Sequence, residues 1–209
     1  MNDRRPNLTD LARIADHPGP SGTRSNSGRR EGGRSPDPDA RPDPDPSACG
    51  DFRLRIARDG TWFYHGSPIA RKPLARLFST ILRRDSAGDY WLVTPVERGR
   101  IQVDDAPFVA VELTVEGQGQ GQKLIFRTNL DELVAGGPDH PIRVVERPAE
   151  NAGVREPAPY VLVRERLEAR IARPVFYQLV ELAVESAIDG QPALGVWSDG
   201  AFFVLGSTA

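Results

Sequence analysis

A chain of 209 residues with a formal charge of -2 and one cysteine has room for one large domain or two small ones. Near-neutrality gives it no general attraction for nucleic acid or anionic lipid, and a lone cysteine excludes an internal disulfide and a Cys-rich zinc site. No apolar run reaches the length of a membrane span and the N-terminus has no signal-peptide pattern, so a cytoplasmic protein is expected.

Residues 1–46 contain no aromatic side chain and are crowded with Pro, Gly, Ser, Arg and Asp. Such a composition cannot bury enough apolar surface to offset its ordering entropy, and a disordered arm is expected. Within it Leu8, Leu11 and Ile14 recur at helical spacing behind Asn7 and Thr9, which predicts a short helix, whereas the Asp-Pro repeat over 37–46 suits a solvated linker.

From Phe52 the pattern alternates, with Leu54 and Ile56 facing one way and Arg53, Arg55 and Arg58 facing solvent. Asp59-Gly60 supplies the residues of a two-residue hairpin turn, and Trp62-Phe63-Tyr64 reads as the returning strand. Pro73 then opens a helix whose apolar face is Leu74, Leu77, Phe78, Ile81 and Leu82, with Arg83 and Arg84 at its C-terminal end. Residues 90–94, 100–103, 109–115 and 123–127 read as antiparallel meander strands; in the third, Val109, Val111, Leu113 and Val115 share a face. Asn129-Leu130-Asp131-Glu132 has capping-box spacing and predicts a short helix stopped by Gly136-Gly137. A boundary there divides the body into a first domain, 47–136, and a second, 137–209.

The second half repeats the first. Residues 160–163 and 167–171 predict a hairpin, Pro174 a helix burying Val175, Phe176, Leu179, Leu182 and Ala183, and Asp199-Gly200 the turn of a closing hairpin. Ile69-Ala70-Arg71-Lys72-Pro73 returns as Ile171-Ala172-Arg173-Pro174, and Asp59-Gly60-Thr61-Trp62-Phe63 as Asp199-Gly200-Ala201-Phe202-Phe203. The expected fold is α+β: two small similar halves of antiparallel strands, each with one main helix, packed on each other.

Several patterns suggest chemistry and are better explained by structure. The Gly-x-Gly-x-Gly run from Gly117 to Gly121 is followed by a strand pattern instead of the helix a phosphate cradle needs. Asp104-Asp105 sits on extended chain, where neighbours point to opposite faces, so a turn is favoured over a metal site. His65 and His140 lack a nucleophile motif or enough companions for a transition metal, and Pro138-Asp139-His140-Pro141 reads as a rigid turn. No catalytic residue, metal or cofactor is assigned. The arginines carry more: Arg71 and Arg173 hold equivalent places in the repeat, and Arg58, Arg143 and Arg170 can reach the same surface, where guanidinium forks suit a carboxylate or phosphate. Trp62, Tyr64 and His65, with Trp197, would flank that site.

Seven stretches carry a resemblance. They are Cys49-Gly50-Asp51, Arg55-Ile56-Ala57-Arg58-Asp59-Gly60-Thr61-Trp62-Phe63-Tyr64, Leu77-Phe78-Ser79, Leu92-Val93-Thr94-Pro95-Val96-Glu97, Asp104-Asp105-Ala106-Pro107-Phe108-Val109-Ala110-Val111, Pro138-Asp139-His140-Pro141 and Gly195-Val196-Trp197-Ser198. Together, over about 49–206, they resemble the bacterial domain-of-unknown-function family 1285. The chain departs from that pattern before Cys49, where an Asp-Pro repeat stands in place of a Trp-containing segment. The resemblance implies a duplicated two-part α+β fold, a second half superficially like a pleckstrin-homology domain, and a signalling role with a ligand between the halves. The function expected is therefore a non-enzymatic ligand-binding or signalling module for a small anionic, nucleotide-like molecule. The alternative is a protein-interaction adaptor that takes a partner on a sheet edge or through the N-terminal arm.

Overall fold

The computed structural model describes residues 49–95, 97–148, 155–188 and 190–207; the arm expected over 1–46, with its helix at 7–15, lies outside them. The order is β1 (Cys49–Ile56), β2 (Trp62–Tyr64), β3 (Ser67–Pro68), α1 (Lys72–Thr80), β4 (Leu82–Arg84), β5 (Tyr90–Val93) and β6 (Arg98–Val103). Then follow β7 (Phe108–Glu116), β8 (Lys123–Thr128), β9 (Leu133–Ala135), β10 (Ile142–Pro148), β11 (Arg155–Arg164) and β12 (Leu167–Ile171). Last come α2 (Arg173–Glu181), β13 (Val184–Ile188), β14 (Gln191–Ser198) and β15 (Ala201–Ser207). Among the described residues no helix is long and apolar enough to cross a membrane.

Three sheets result: a first ordered β3-β2-β1-β6-β5-β4, a second ordered β10-β11-β12-β7-β8-β9, and a third ordered β13-β14-β15. The antiparallel expectation needs one amendment. Each six-stranded sheet is two antiparallel meanders joined at the centre by a parallel pair, β1 with β6 in the first and β12 with β7 in the second. The meander expected to run on from β6 into β7 breaks at the linker 104–107, because β7 pairs with β8 and β12. The second sheet thus runs through the expected division at 136/137, and the strand ladder is interrupted at the linker instead.

One apolar core is shared by all three sheets and includes Ile56, Trp62, Phe78, Leu92, Phe108, Phe126, Val161, Leu167, Leu179 and Val196. The inward set of β7 is Phe108 and Ala110, both fully buried, rather than one continuous face from Val109 to Val115. A bulge between Ala110 and Glu112 adds a residue, and Val111 and Val115 stay exposed.

Three local expectations change. α1 ends at Thr80, and Leu82–Arg84 pairs with β5 as a strand. The Ser79 and Thr80 hydroxyls donate back to the Arg76 and Leu77 carbonyls at 2.8 and 2.7 Å, which loosens the last turn. Leu77, expected to be buried, is 44% exposed. No helix forms after Asn129, whose side chain bridges instead of capping: Oδ1 accepts from the Val109 N–H at 3.0 Å and Nδ2 donates to the Gly60 carbonyl at 3.1 Å. The chain turns at Asp131, where φ is 63°, straight into β9. The β1–β2 connection is longer than two residues: the Gly60 N–H donates to the Ala57 carbonyl and Ala57 to Thr61, with Gly60 at φ 83°. Asp199 and Gly200, by contrast, both have positive φ and make the two-residue turn their sequence predicts.

The third sheet is stitched to the second by buried polar groups. Fully buried Ser198 donates to the Gly136 carbonyl at 2.6 Å and accepts from the Leu124 N–H at 2.9 Å. Gln122 Nε2 donates to the Trp197 carbonyl at 2.8 Å. The Ser198 hydroxyl both donates and accepts, so its burial leaves no hydrogen-bonding capacity unmet.

Candidate functional site

The linker between the two six-stranded sheets bends at Asp104 and Asp105 and sends these two neighbouring carboxylates to different sheets. Asp104 turns back to the first sheet and pairs with Arg55. Asp105 turns into the second sheet, and its side chain is 1% exposed. Its Oδ1 accepts from Arg147 Nη1 at 2.6 Å and the Tyr160 hydroxyl at 2.7 Å, and its Oδ2 from Arg170 Nη1 at 2.8 Å. Arg58, on the β1–β2 turn, brings Nε to within 3.8 Å of the same carboxylate.

Strand register explains why these residues meet. Arg143 on β10 lies opposite Tyr160 on β11, which lies opposite Arg170 on β12, so the three form one row across one face. Arg147 shares that face of β10 and Glu168 that face of β12, each at even spacing from a row member. The Arg143 fork is bidentate on Glu168, at 2.5 and 2.7 Å, while its guanidinium lies 4.7 Å from the centre of the Tyr160 ring. Arg147 lies 5.2 Å from the same ring. From the first sheet, Arg84 on β4 approaches Glu168 at 3.8 Å and the Tyr90 ring at 5.2 Å. Among the described residues the junction gathers Arg58, Arg84, Arg143, Arg147 and Arg170 around Asp105 and Glu168, with Glu156 opposite Arg147 on the same face, so guanidinium groups outnumber carboxylates five to three. Arg58 and Arg143 keep nearly half of their side-chain surface in solvent.

The electrostatics follow from burial and charge. Burial pushes the Asp105 carboxyl up, but the Tyr160 hydrogen bond and the Arg147 and Arg170 charges outweigh it and hold the group below the usual aspartate range. Burial, then the bond to Asp105, pushes the Tyr160 phenol up to about 12. Burial likewise raises Tyr90. At neutral pH the junction thus holds an ionised carboxylate and protonated phenols, an arrangement suited to recognition by guanidinium forks.

Of the residues singled out in the sequence, Arg58, Arg143 and Arg170 come together here. Arg71 does not join them: it is the exposed N-cap of α1, with no side-chain hydrogen bond or ion pair to a described residue. Arg173 is the first residue of α2, and its Nε donates to the Tyr177 hydroxyl at 2.9 Å. The matching motifs are offset by one residue at the helix starts, since the N-cap of α2 is Ala172. Trp62 is a core residue, 2% exposed, packed against Phe78 with its indole Nε1 unpartnered. Tyr64 packs on the core and meets exposed His65 edge to face at 4.4 Å. Trp197 lies 5.2 Å from Phe202. His140 sits in the tight turn after Gly137, with Nδ1 3.0 Å from the Leu162 carbonyl. The Gly-rich connection forms a 3-10 turn that leads into β8. Among the described residues no group of three or more His, Cys, Asp or Glu gathers at one place. Sequence reasoning missed the roles of Arg84, Arg147, Tyr160 and Glu168. The one local signal was charge at even spacing on one strand face, Arg143 with Arg147 and Glu168 with Arg170, which an apolar strand face does not require.

The architecture defines a class: a duplicated α+β protein in which two six-stranded sheets meet at a charged linker. The chain belongs to the DUF1285 family. Residues 43–106 match the domain of unknown function (DUF1285), N-terminal domain, and residues 107–205 match the protein of unknown function (DUF1285), C-terminal domain. A DUF1285 family protein of known crystal structure from Silicibacter pomeroyi DSS-3 is 49% identical, with a TM-score of 0.68 over 76% of this chain and 81% of that one. One from Shewanella baltica OS155 is 26% identical over 61% of this chain and 90% of that one, with a TM-score of 0.46. No curated protein matches.

Proposed function

We propose that the protein is a cytoplasmic, non-enzymatic ligand-binding or signalling module that takes a small anionic, nucleotide-like ligand at the junction of its two halves. The observation that carries this reading is the surplus of guanidinium charge around Asp105 and Tyr160, assembled from both halves and partly open to solvent. Arginine forks recognise phosphate or carboxylate bidentately, and Arg58 and Arg143 present theirs partly to solvent. Asp105 is held ionised by three donors and Tyr160 stays protonated, so the chemistry of the cluster is recognition rather than proton transfer. The pleckstrin-homology-like character expected of the second half belongs to the same reading, since β10 and β12 supply most of the charged groups.

A thermal-shift panel of nucleotides, sugar phosphates and dicarboxylates tests it. A ligand at a hundredfold over its Kd stabilises by about 2.7 kcal/mol, a shift such a screen detects. Arg143→Ala should abolish the ligand-induced shift, whereas Arg71→Ala and Arg173→Ala should keep it. No shift for any anion in the wild type, or a shift that survives Arg143→Ala, overturns the assignment of the site.

A further inference from the structure

Nine large apolar side chains are exposed among the described residues, and five of them, Tyr177, Val180, Val184, Ile188 and Val204, belong to α2 and the third sheet. Val184 and Val204 flank Gly195 in one cross-strand row, so their exposure lies on one face of that sheet. β13 is the edge of the sheet, and its outer side meets no strand among the described residues. Its sequence, Val-Glu-Ser-Ala-Ile, carries one charge, Glu185, and has no lysine, no proline and no bulge against β14 to blunt the edge.

Proline fixes which groups face outward. Ala187 lies opposite Pro192, which has no N–H to give, so that pair cannot be a hydrogen-bonded one. Alternation along an antiparallel ladder then assigns the bonded pairs to Val184, Ser186 and Ile188, and turns the N–H and C=O of Glu185 and Ala187 outward. We propose that β13 pairs antiparallel with β13 of a second copy of this chain about a twofold axis at Ser186, joining two third sheets into one six-stranded sheet.

Charge and strand length select the register. An axis at Glu185 sets Glu185 against its own mate, a like-charge pair, and an axis at Ala187 leaves only Ser186, Ala187 and Ile188 paired, because the strand ends at Ile188. The axis at Ser186 sets Glu185 against Ala187 and Val184 against Ile188, covering the exposed apolar pair and opposing no carboxylates. The same axis puts the outward groups of Glu185 and Ala187 in hydrogen-bonded positions, while Ser186 meets Ser186 as a non-bonded pair. Such a contact is isologous and closes at two copies.

Light scattering and analytical ultracentrifugation of the full chain over a concentration series test this. The wild type should pass from monomer to dimer as concentration rises. Ala187→Pro should remain monomeric with an unchanged melting temperature in dilute solution, because the lost N–H faces the second copy and not β14. In a Cys49→Ser background, Ser186→Cys should oxidise to a covalent dimer, since directly opposed non-bonded residues are about 4.5 Å apart at Cα, within disulfide reach. A wild type that is monomeric at every concentration overturns the proposal, as does a dimer that persists in Ala187→Pro. A dimer that forms without cross-linking at position 186 overturns the register, and a monomer that takes a foreign extended peptide on this edge overturns the identity of the partner.

Discussion

The first and second sheets follow one plan. By position within each run of six, β1 to β6 and β7 to β12 both give the order three-two-one-six-five-four, with the first and sixth strands parallel. The helices do not follow that plan. α1 connects the third and fourth strands of the first sheet, while the same step in the second sheet is the turn over 136–141, and α2 comes only after the sixth strand. The Ile-Ala-Arg motif with its nearby proline is therefore a portable entry to a helix, out of phase with the duplication of the sheets. Its two copies are loaded differently. α1 reaches across to the second sheet, with Lys72 on Asp131 at 2.7 Å and the Ser79 carbonyl accepting from Arg164 at 2.8 Å, and leaves Leu77 exposed. α2 packs against β7 and β14 and buries Leu179 completely.

If the two sheets are equivalent units fastened at their linker, the largest loss should come from the fastener. Asp105→Ala removes a buried carboxylate that accepts from Arg147, Tyr160 and Arg170 and should cost about 3–5 kcal/mol by chemical denaturation, since each hydrogen bond to a charged group contributes about 1.5 kcal/mol. Because the folded-state pKa of Asp105 lies below its unfolded value, its contribution is complete above the ordinary aspartate range and is lost as pH falls through the folded value. Asp105→Asn should accordingly flatten the acid limb of the stability profile; a limb unchanged from wild type would show that the carboxylate does not hold the sheets together.

The helices sharpen the comparison next. Leu179→Ala opens a cavity in the shared core and should cost about 2–5 kcal/mol, whereas Leu77→Ala, at an exposed site, should cost less than about 1 kcal/mol. Equal costs in denaturant titrations would mean that the two helices are packed alike.

The smallest effect separates the Asp59-Gly60 and Asp199-Gly200 turns. Gly60 and Gly200 both have positive φ, so alanine at either carries a strain of about 1 kcal/mol. At Gly200 nothing lies within reach of an added methyl group, but at Gly60 it would meet Val109 Cγ2 at 3.1 Å and press on Asn129. Gly60→Ala should therefore lower the melting temperature more than Gly200→Ala, and an equal drop would remove the Gly60–Asn129 contact from the forces joining the sheets.

What the sequence alone determined is local. Alternation at Leu54 and Ile56 specified a half-buried strand, prolines at 73 and 174 opened helices, and Asp199-Gly200 closed a hairpin, because each signal acts through the dihedral preferences of a few neighbouring residues. Tertiary structure decided whatever depended on a distant partner. Asn129 has a good cap sequence, yet its side chain satisfies Val109 and Gly60, and Leu82 continues a helical period, yet it pairs with Leu92. The charged junction was the least legible feature. Its members run from Arg58 to Arg170, and only the cross-strand register of β10, β11 and β12 and the divergence of Asp104 from Asp105 bring them together. Register is set by pairing between strands far apart in the chain, a choice made by burial of the whole face and not by any window of sequence.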